Sequence, residues 1–276
     1  MTACQALPED LSALAALAAA HGPVVDVHAH LGRSHSTGVV TTAPDLLAVM
    51  DAYELSAAMV MPQPTDPAAF ALHGDIAALG KQYPGRVFGI VLLDPRQPEA
   101  TYQATAEGLV MSEGFVALKL HTFGHGIAPD DEVSEKVFRV ARRLGRPVMV
   151  HTGLGGPHTL PDRVRPVARA YSDVPIVLCH AGFAAFWNEA IKVAEDCDNV
   201  YLEPSWCPGF SVACMVERVG AHRVLFGSDH LANLPIELMK IAALGLSPAE
   251  RAAVLFDNAV QLFALNVLTS SEESGR

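Results

Sequence analysis

Six residues in this chain, His28, His30, Lys119, His151, His180 and Asp229, have the types and the placement to hold a cation and activate a water molecule. His28 and His30 stand two apart in VVDVHAHLG (residues 24–32), and Asp26 precedes them by two. Alternate side chains of an extended strand share a face, so all three would point the same way. Polar groups on an otherwise apolar run need partners, because a buried polar atom left unpaired is costly. His151 in RPVMVHTG, His180 in VPIVLCHAG and Asp229 in RVLFGSDH each close a further apolar run. Imidazole together with carboxylate suits zinc first, with manganese and iron as the other options, and disfavours calcium, which takes oxygen ligands. Lys119 closes another such run, GFVALKLH. Its ammonium would need an ion pair with Asp26 or Glu203; alternatively the amine is carbamylated and its terminal carboxylate bridges two cations.

Residues so far apart can meet only if a repeated unit delivers them to one place. Eight β-type runs recur at even spacing, over residues 24–30, 57–62, 86–95, 114–121, 146–153, 174–182, 199–205 and 223–230. Helical segments lie between them. In residues 130–145, Val133, Val137, Val140 and Leu144 form an apolar stripe at helical spacing, Gly145 supplies a stop and Pro147 opens the next run. Strand–helix units of about 30 residues imply parallel strands joined by crossover helices, in a sheet covered on both faces. Eight units predict a closed (β/α)8 barrel, whose usual size of about 250 residues suits this chain of 276. A doubly wound open sheet is the runner-up, but no glycine-rich dinucleotide fingerprint follows an early strand. No linker, low-complexity stretch or charge block divides the sequence, so a single domain over 1–276 is expected, with residues 1–22 as an N-terminal helical extension.

Function in such a barrel belongs at the C-terminal strand ends. Nine of the 12 histidines (His28, His30, His35, His121, His125, His151, His158, His180 and His230) fall at or just after one of these ends, which scattered surface histidines would not do. Glu203 ends YLEPS and is read as the acceptor for a ligand histidine's second N–H; an extra ligand or the counter-ion of Lys119 are its other readings. Asp26 orients a ligand or fills the barrel. Arg33, His121, Gln63, Trp187, Trp206 and His230 would face a substrate.

The net charge of −11 argues against a protein that tracks nucleic-acid phosphates, and no GxxxxGK[ST] cradle for a nucleotide is present. Five cysteines without a CxxC pair read as reduced thiols. LSALAALAAAHG is too short for a membrane span and lacks the basic flank of a signal peptide, so a cytoplasmic protein is expected. The partner is a small-molecule substrate, with neither nucleic acid nor membrane; a homo-oligomer is admitted.

The ordered set, HxH on the first run, Lys119 on the fourth, His151 on the fifth, His180 on the sixth and Asp229 on the eighth, resembles the amidohydrolase superfamily. VHAHLG, GFVALKLH, VHTG, CHAG and LFGSDH are most similar to the branch that contains amidohydrolase-2-type hydrolases and aminocarboxymuconate semialdehyde decarboxylases, over about residues 24–266. The resemblance implies that His28 and His30 hold the more buried metal. Asp229 would complete that site and accept a proton from metal-bound water, and His151 would be a further ligand. His180 would bind a second metal or stay unligated as an acid and electrostatic clamp, and a carbamylated Lys119 would bridge the pair. Decarboxylases of this branch generally work with one metal and give this lysine no role, so Lys119 points to two.

The expected activity is therefore that of a metal-dependent hydrolase. A cation lowers the pKa of bound water towards about 7, hydroxide attacks an amide, lactone or ester-like carbonyl, and Asp229 shuttles the proton. The alternatives are decarboxylation or hydration of a small unsaturated acid anchored by Arg33 or Arg96, and a di-iron oxygenase on the same site.

Overall fold

The computed structural model describes residues 21–34, 38–64, 66 and 68–267. The N-terminal extension, apart from residues 21 and 22, and His35 lie outside the described residues. Seven of the expected runs form parallel strands: β1 (Val25–Arg33), β3 (Ala57–Pro62), β4 (Val87–Leu92), β5 (Ala117–Leu120), β6 (Val148–His151), β7 (Ile176–Cys179) and β8 (Val200–Glu203), paired in that order. A short β2 (Val40–Thr41) runs antiparallel on the outer edge of β1.

The expected closed barrel is corrected here. The sheet is open and curled, because no ladder joins β8 to β1 and the run at 223–230 forms no strand. That segment makes only isolated bridges, Val224 to Leu202 and Asp229 to Ala29. A side chain interrupts the pairing. The Ser228 N–H donates to the Asp26 carboxylate at 3.0 Å, and Asp229 turns the backbone into the left-handed region at φ 64°. Pairing with β1 is therefore broken at Ser228 and resumes only as the single bridge at Asp229.

Strand alternation sorts the core. Ala58, Val60, Val91, Leu118, Leu120, Val148, Val150, Ile176 and Leu178 pack towards the helices, while Met59, Met61, Ile90, Leu92, Met149 and Val177 fill the inside of the curl. The inner face turns polar as each strand reaches its C-terminal end, at Lys119, His151 and Glu203. β1 departs from strict alternation. A register shift between Asp26 and Ala29 puts Val25 and Val27 in the inner cluster and still brings His28 and His30 inward beyond it. Asp26 is left at the seam with segment 226–229, so the expectation that it shares their face fails.

Local signals place the helices that back the sheet. α1 (Ala43–Ala52) starts at a capping box between Thr42 and Asp45. α2 (Ala69–Gln82) and α3 (Glu99–Glu113) follow β3 and β4. α4 (Glu132–Leu144) buries Val137, Phe138, Val140 and Ala141, carries Arg142 and Arg143 in its last turn and stops at Gly145 with φ 62°. α5 (Phe183–Asp196) and α6 (Gly209–Val219) follow β7 and β8, and α7 (Leu234–Ala243) follows segment 224–230. Among the described residues no helix is long and apolar enough to cross a membrane.

Candidate metal centre

One buried carboxylate organises the centre. Glu203, fully buried at the end of β8, accepts the His28 Nδ1–H at 2.7 Å, the Ser205 hydroxyl at 3.1 Å and the His180 backbone N–H at 3.3 Å on Oε2. Its Oε1 takes the Ser205 N–H at 2.6 Å. Gly227 packs directly over it, where an added Cβ would stand 2.8 Å from the carboxyl carbon. Burial pushes the Glu203 carboxyl up, but the hydrogen bond and charge of His28 outweigh it and leave the group below its usual range.

These bonds fix which ring nitrogens carry lone pairs. His28 donates from Nδ1, and His30 donates from Nδ1 to the Pro62 carbonyl at 3.1 Å, so both Nε2 atoms are bare. They face each other at 3.3 Å with no hydrogen to share. Lys119 Nζ reaches one of these lone pairs, 3.1 Å from His28 Nε2, and a cation between the two rings would satisfy both. Tetrahedral coordination at about 2.0–2.1 Å separates ligand atoms by about 3.3–3.4 Å, which this spacing matches. Asp229 Oδ1 completes the triangle, 3.4 Å from His30 Nε2 and 3.6 Å from His28 Nε2. The donor set therefore fits a divalent cation.

A second group of donors surrounds the first. The His180 Nδ1–H donates to Ser205 Oγ at 2.8 Å, which relays to Glu203 and leaves Nε2 bare; the ring centroid is 4.9 Å from that of His28. His28, His180 and Glu203 form the other cluster able to hold an ion. His151 donates from Nε2 to the Leu154 carbonyl at 3.0 Å, and its buried Nδ1 has no hydrogen-bond partner. Its ring lies 4.7 Å from His180 and stacks on His121 at 4.6 Å. His121 accepts the Gly124 N–H on Nδ1 at 3.0 Å, which leaves its Nε2–H free to donate.

Electrostatics suit coordination. Burial, and then the charge of Lys119, lowers His28. Burial takes His151 down to about 3 and holds His121 and His180 well below the usual histidine value. Neutral imidazoles are the form that binds metals. Asp26 moves the other way, pushed up to about 7 by burial.

The sequence-predicted residues distribute unevenly. His28, His30, Asp229 and Lys119 converge; His180 joins through Glu203; His151 stands one ring further out. Lys119 is fully buried, with Nζ 3.1 Å from His28 Nε2 and 2.9 Å from Cys179 Sγ. It pairs with neither Asp26 nor Glu203, correcting the ion-pair reading. Asp26 instead ties the Ser228 hydroxyl at 2.6 Å and the His28 N–H at 3.0 Å. The guanidinium of Arg33 bonds the Gly38 carbonyl, and Arg96 is paired with Asp94 in a neighbouring cavity.

A cavity of about 570 Å³ opens over the centre, walled by Phe123, Leu154 and Phe183 and edged by Gln63, His121 and His230. Its lining contains neither lysine nor arginine among the described residues. Sequence reasoning missed Ser205, Ser228 and Cys179, although alternation along IVLC puts Cys179 on the inner face with Val177. It also missed the Trp206 indole N–H, which donates to Asp229 Oδ2 at 2.8 Å. Trp187 instead packs edge-on against Phe210.

A family model described as Amidohydrolase matches residues 25–265. No curated protein matches the chain by sequence. Among solved structures, the chain is similar to 5-carboxyvanillate decarboxylase from Novosphingobium aromaticivorans, complexed with manganese and 4-hydroxy-3-methoxy-5-nitrobenzoic acid (TM-score 0.71, 14% identity, 89% of this chain and 97% of that one). It is similar to a dihydroxybenzoic acid decarboxylase from a Polaromonas species with bound manganese and 2-nitroresorcinol (TM-score 0.70, 15% identity, 88% and 97%). A protein described as a "probable 2-pyrone-4,6-dicarboxylic acid hydrolase" from Acinetobacter baumannii, with citric acid bound, matches at TM-score 0.63 and 16% identity (88% and 99%).

Proposed function

The chain belongs to the amidohydrolase family, and on that premise we propose that it is a metal-dependent decarboxylase of small hydroxylated aromatic or unsaturated acids. One observation carries the choice over hydrolysis. The cavity lining offers no cationic side chain among the described residues, so an acid entering it finds its positive anchor at the metal centre. The carboxyl group is thereby drawn to the reacting end of the site, between apolar walls that suit a flat ring. The likeness to manganese-containing decarboxylases supports the same reading and favours manganese beside zinc.

His28, His30 and Asp229 would hold the ion, with His151 and His180 as further donors. When bound, the ion supplies Lewis-acid polarisation of a substrate oxygen. Asp229 would take the proton that the acid or its hydroxyl gives up on binding, on Oδ2, the carboxylate oxygen turned away from the ion. It returns that proton to the carbon losing its carboxyl: the C–C bond breaks, its electron pair forms the new C–H bond, and carbon dioxide leaves. His121, with Nε2–H free, donates to the substrate's developing oxyanion. Carbamylation of Lys119 remains part of the proposal, because its buried amine has no carboxylate partner among the described residues and a carbamate would add the missing anionic ligand.

Hydrolysis is the second reading, supported by the likeness to the pyrone hydrolase; Asp229 would then take its proton from water. The test is to present hydroxybenzoates and a pyrone lactone to the metal-loaded protein, following carbon dioxide release and ring opening. Metal-dependent carbon dioxide release that falls by about 10²-fold or more in metal-loaded Asp229→Asn is expected. Lactone opening without carbon dioxide release would move the assignment to hydrolysis, and activity that survives complete metal removal would end both readings.

A further inference from the structure

We propose that Trp206 is a positioning residue for Asp229: its indole N–H holds the outer carboxylate oxygen, so that Oδ1 alone is offered to the cation. The inference rests on the assignment of Asp229 as a metal ligand.

Three observations carry it. The indole Nε1–H donates to Asp229 Oδ2 at 2.8 Å, while Oδ1 is the oxygen that faces His28 and His30. A carboxylate held this way binds through one oxygen, with its rotamer settled before the ion arrives. Second, both residues sit in left-handed backbone, Trp206 at φ 65° and Asp229 at φ 64°. That conformation is strained for a bulky residue and persists only where the surroundings enforce it. Here a ring of bonds does so. The Trp206 N–H donates to buried Glu237 at 2.9 Å; Glu237 also accepts Asn233 Nδ2 at 3.0 Å, and Asn233 holds the Ser228 carbonyl at 3.0 Å, next to Asp229 in the chain. Third, Trp206 is 42% exposed, so core burial does not account for the strain. The fixed polar contact of its ring is to Asp229.

Outer partners of metal ligands typically tune affinity by about 10–100-fold. Trp206→Phe keeps the ring and removes the donor, so manganese or zinc binding, measured by competition with a chromogenic chelator, should weaken by about tenfold or more. In an Asp229→Ala background the same change should add less than about twofold, because the two residues act as one unit. An equal loss in both backgrounds, or no loss in Trp206→Phe, overturns the proposal. Trp206→Tyr repeats the measurement should the Phe variant not fold. A third readout leaves Trp206 intact: in a Trp187→Phe chain it is the sole tryptophan, and its emission should shift on metal titration, saturating with the chelator-measured affinity. An unchanged spectrum counts against the role. If the wild-type chain binds no divalent ion, the metal centre itself falls; if it binds and Trp206→Phe is indistinguishable, the positioning role alone falls.

Discussion

Replacing Glu203 by Gln tests whether the centre is built outward from one carboxylate. The native group accepts four hydrogens, three on Oε2 and one on Oε1 at 2.6 Å. Glutamine has the same shape but one acceptor oxygen and one NH2. With its oxygen in the Oε2 place, the NH2 meets the Ser205 N–H, donor against donor. With its oxygen in the other place, the NH2 faces His28 Nδ1 and forces the imidazole proton onto Nε2, where it blocks the cation. Hydrogen bonds to a charged group contribute about 1.5–3 kcal/mol each. The cheaper arrangement loses one of them outright and the charge assistance of the other three, so we predict a cost of about 3 kcal/mol to the metal-free fold. At about 2–4 °C per kcal/mol, that lowers Tm by about 6–12 °C. Metal affinity should fall by about 10–100-fold. Thermal unfolding of chelator-treated protein and metal titration measure the two effects separately. A Gln variant that melts within about 1 °C of wild type and binds metal within about twofold would refute the reasoning.

Burial lowers the imidazoles of His28, His121, His125, His151 and His180, so below about pH 6.5 the unfolded chain takes up protons that the folded chain refuses, and stability falls as pH falls. An imidazole that stays neutral in the fold contributes a slope of about 1.4 kcal/mol per pH unit, while Asp26, raised to about 7, and Glu237, raised by burial, oppose them; denaturant unfolding of the metal-free chain between about pH 5 and 6.5 should show a net proton uptake, and a net release would sink the burial argument. Lys119→Met removes a buried amine without stranding a carboxylate, so the metal-free fold should hold within about 1 kcal/mol, while bicarbonate-dependent mass gain disappears. A large loss of stability would instead mean that Nζ is a structural donor to His28 and Cys179.

Much of the centre was legible because strand chemistry is periodic. His151, Lys119 and Glu203 each end an apolar run, and a period of two sends them inward with Met149, Ala117 and Tyr201. The Glu203 reading followed from imidazole chemistry alone, since a ligating ring needs an acceptor for its second N–H. Three things were hidden. The irregularity in β1 leaves no mark in VVDVHAH, whose alternation looks unbroken, so Asp26 was placed on the wrong face. The partner of Lys119 depended on spatial neighbours that no spacing encodes. The role of Trp206 depends on a backbone turn at φ 65° that no propensity predicts for tryptophan.

The open edge of the sheet bears directly on the site. His28 and His30 come from β1, and Asp229 comes from the segment across the seam, so this junction decides whether they meet. Were residues 224–229 a regular strand, their N–H groups would go to β1 and β8 carbonyls throughout. Instead the pairing is kept at Leu225 to the Leu202 carbonyl, 2.8 Å, at Val27 to the Phe226 carbonyl, 3.0 Å, and at Asp229 to the His28 carbonyl, 2.7 Å, while Ser228 is diverted to Asp26. That diversion accompanies the left-handed turn at Asp229, whose carboxylate reaches the two bare imidazole nitrogens. Burying Asp26 is costly, as its raised pKa attests. The cost is offset where the carboxylate gathers two backbone N–H groups and a hydroxyl that a continuous ladder would have arranged differently. The bonds of Asp26 thus mark the point where the segment leaves the ladder and enters the turn that aims Asp229 at the two imidazoles.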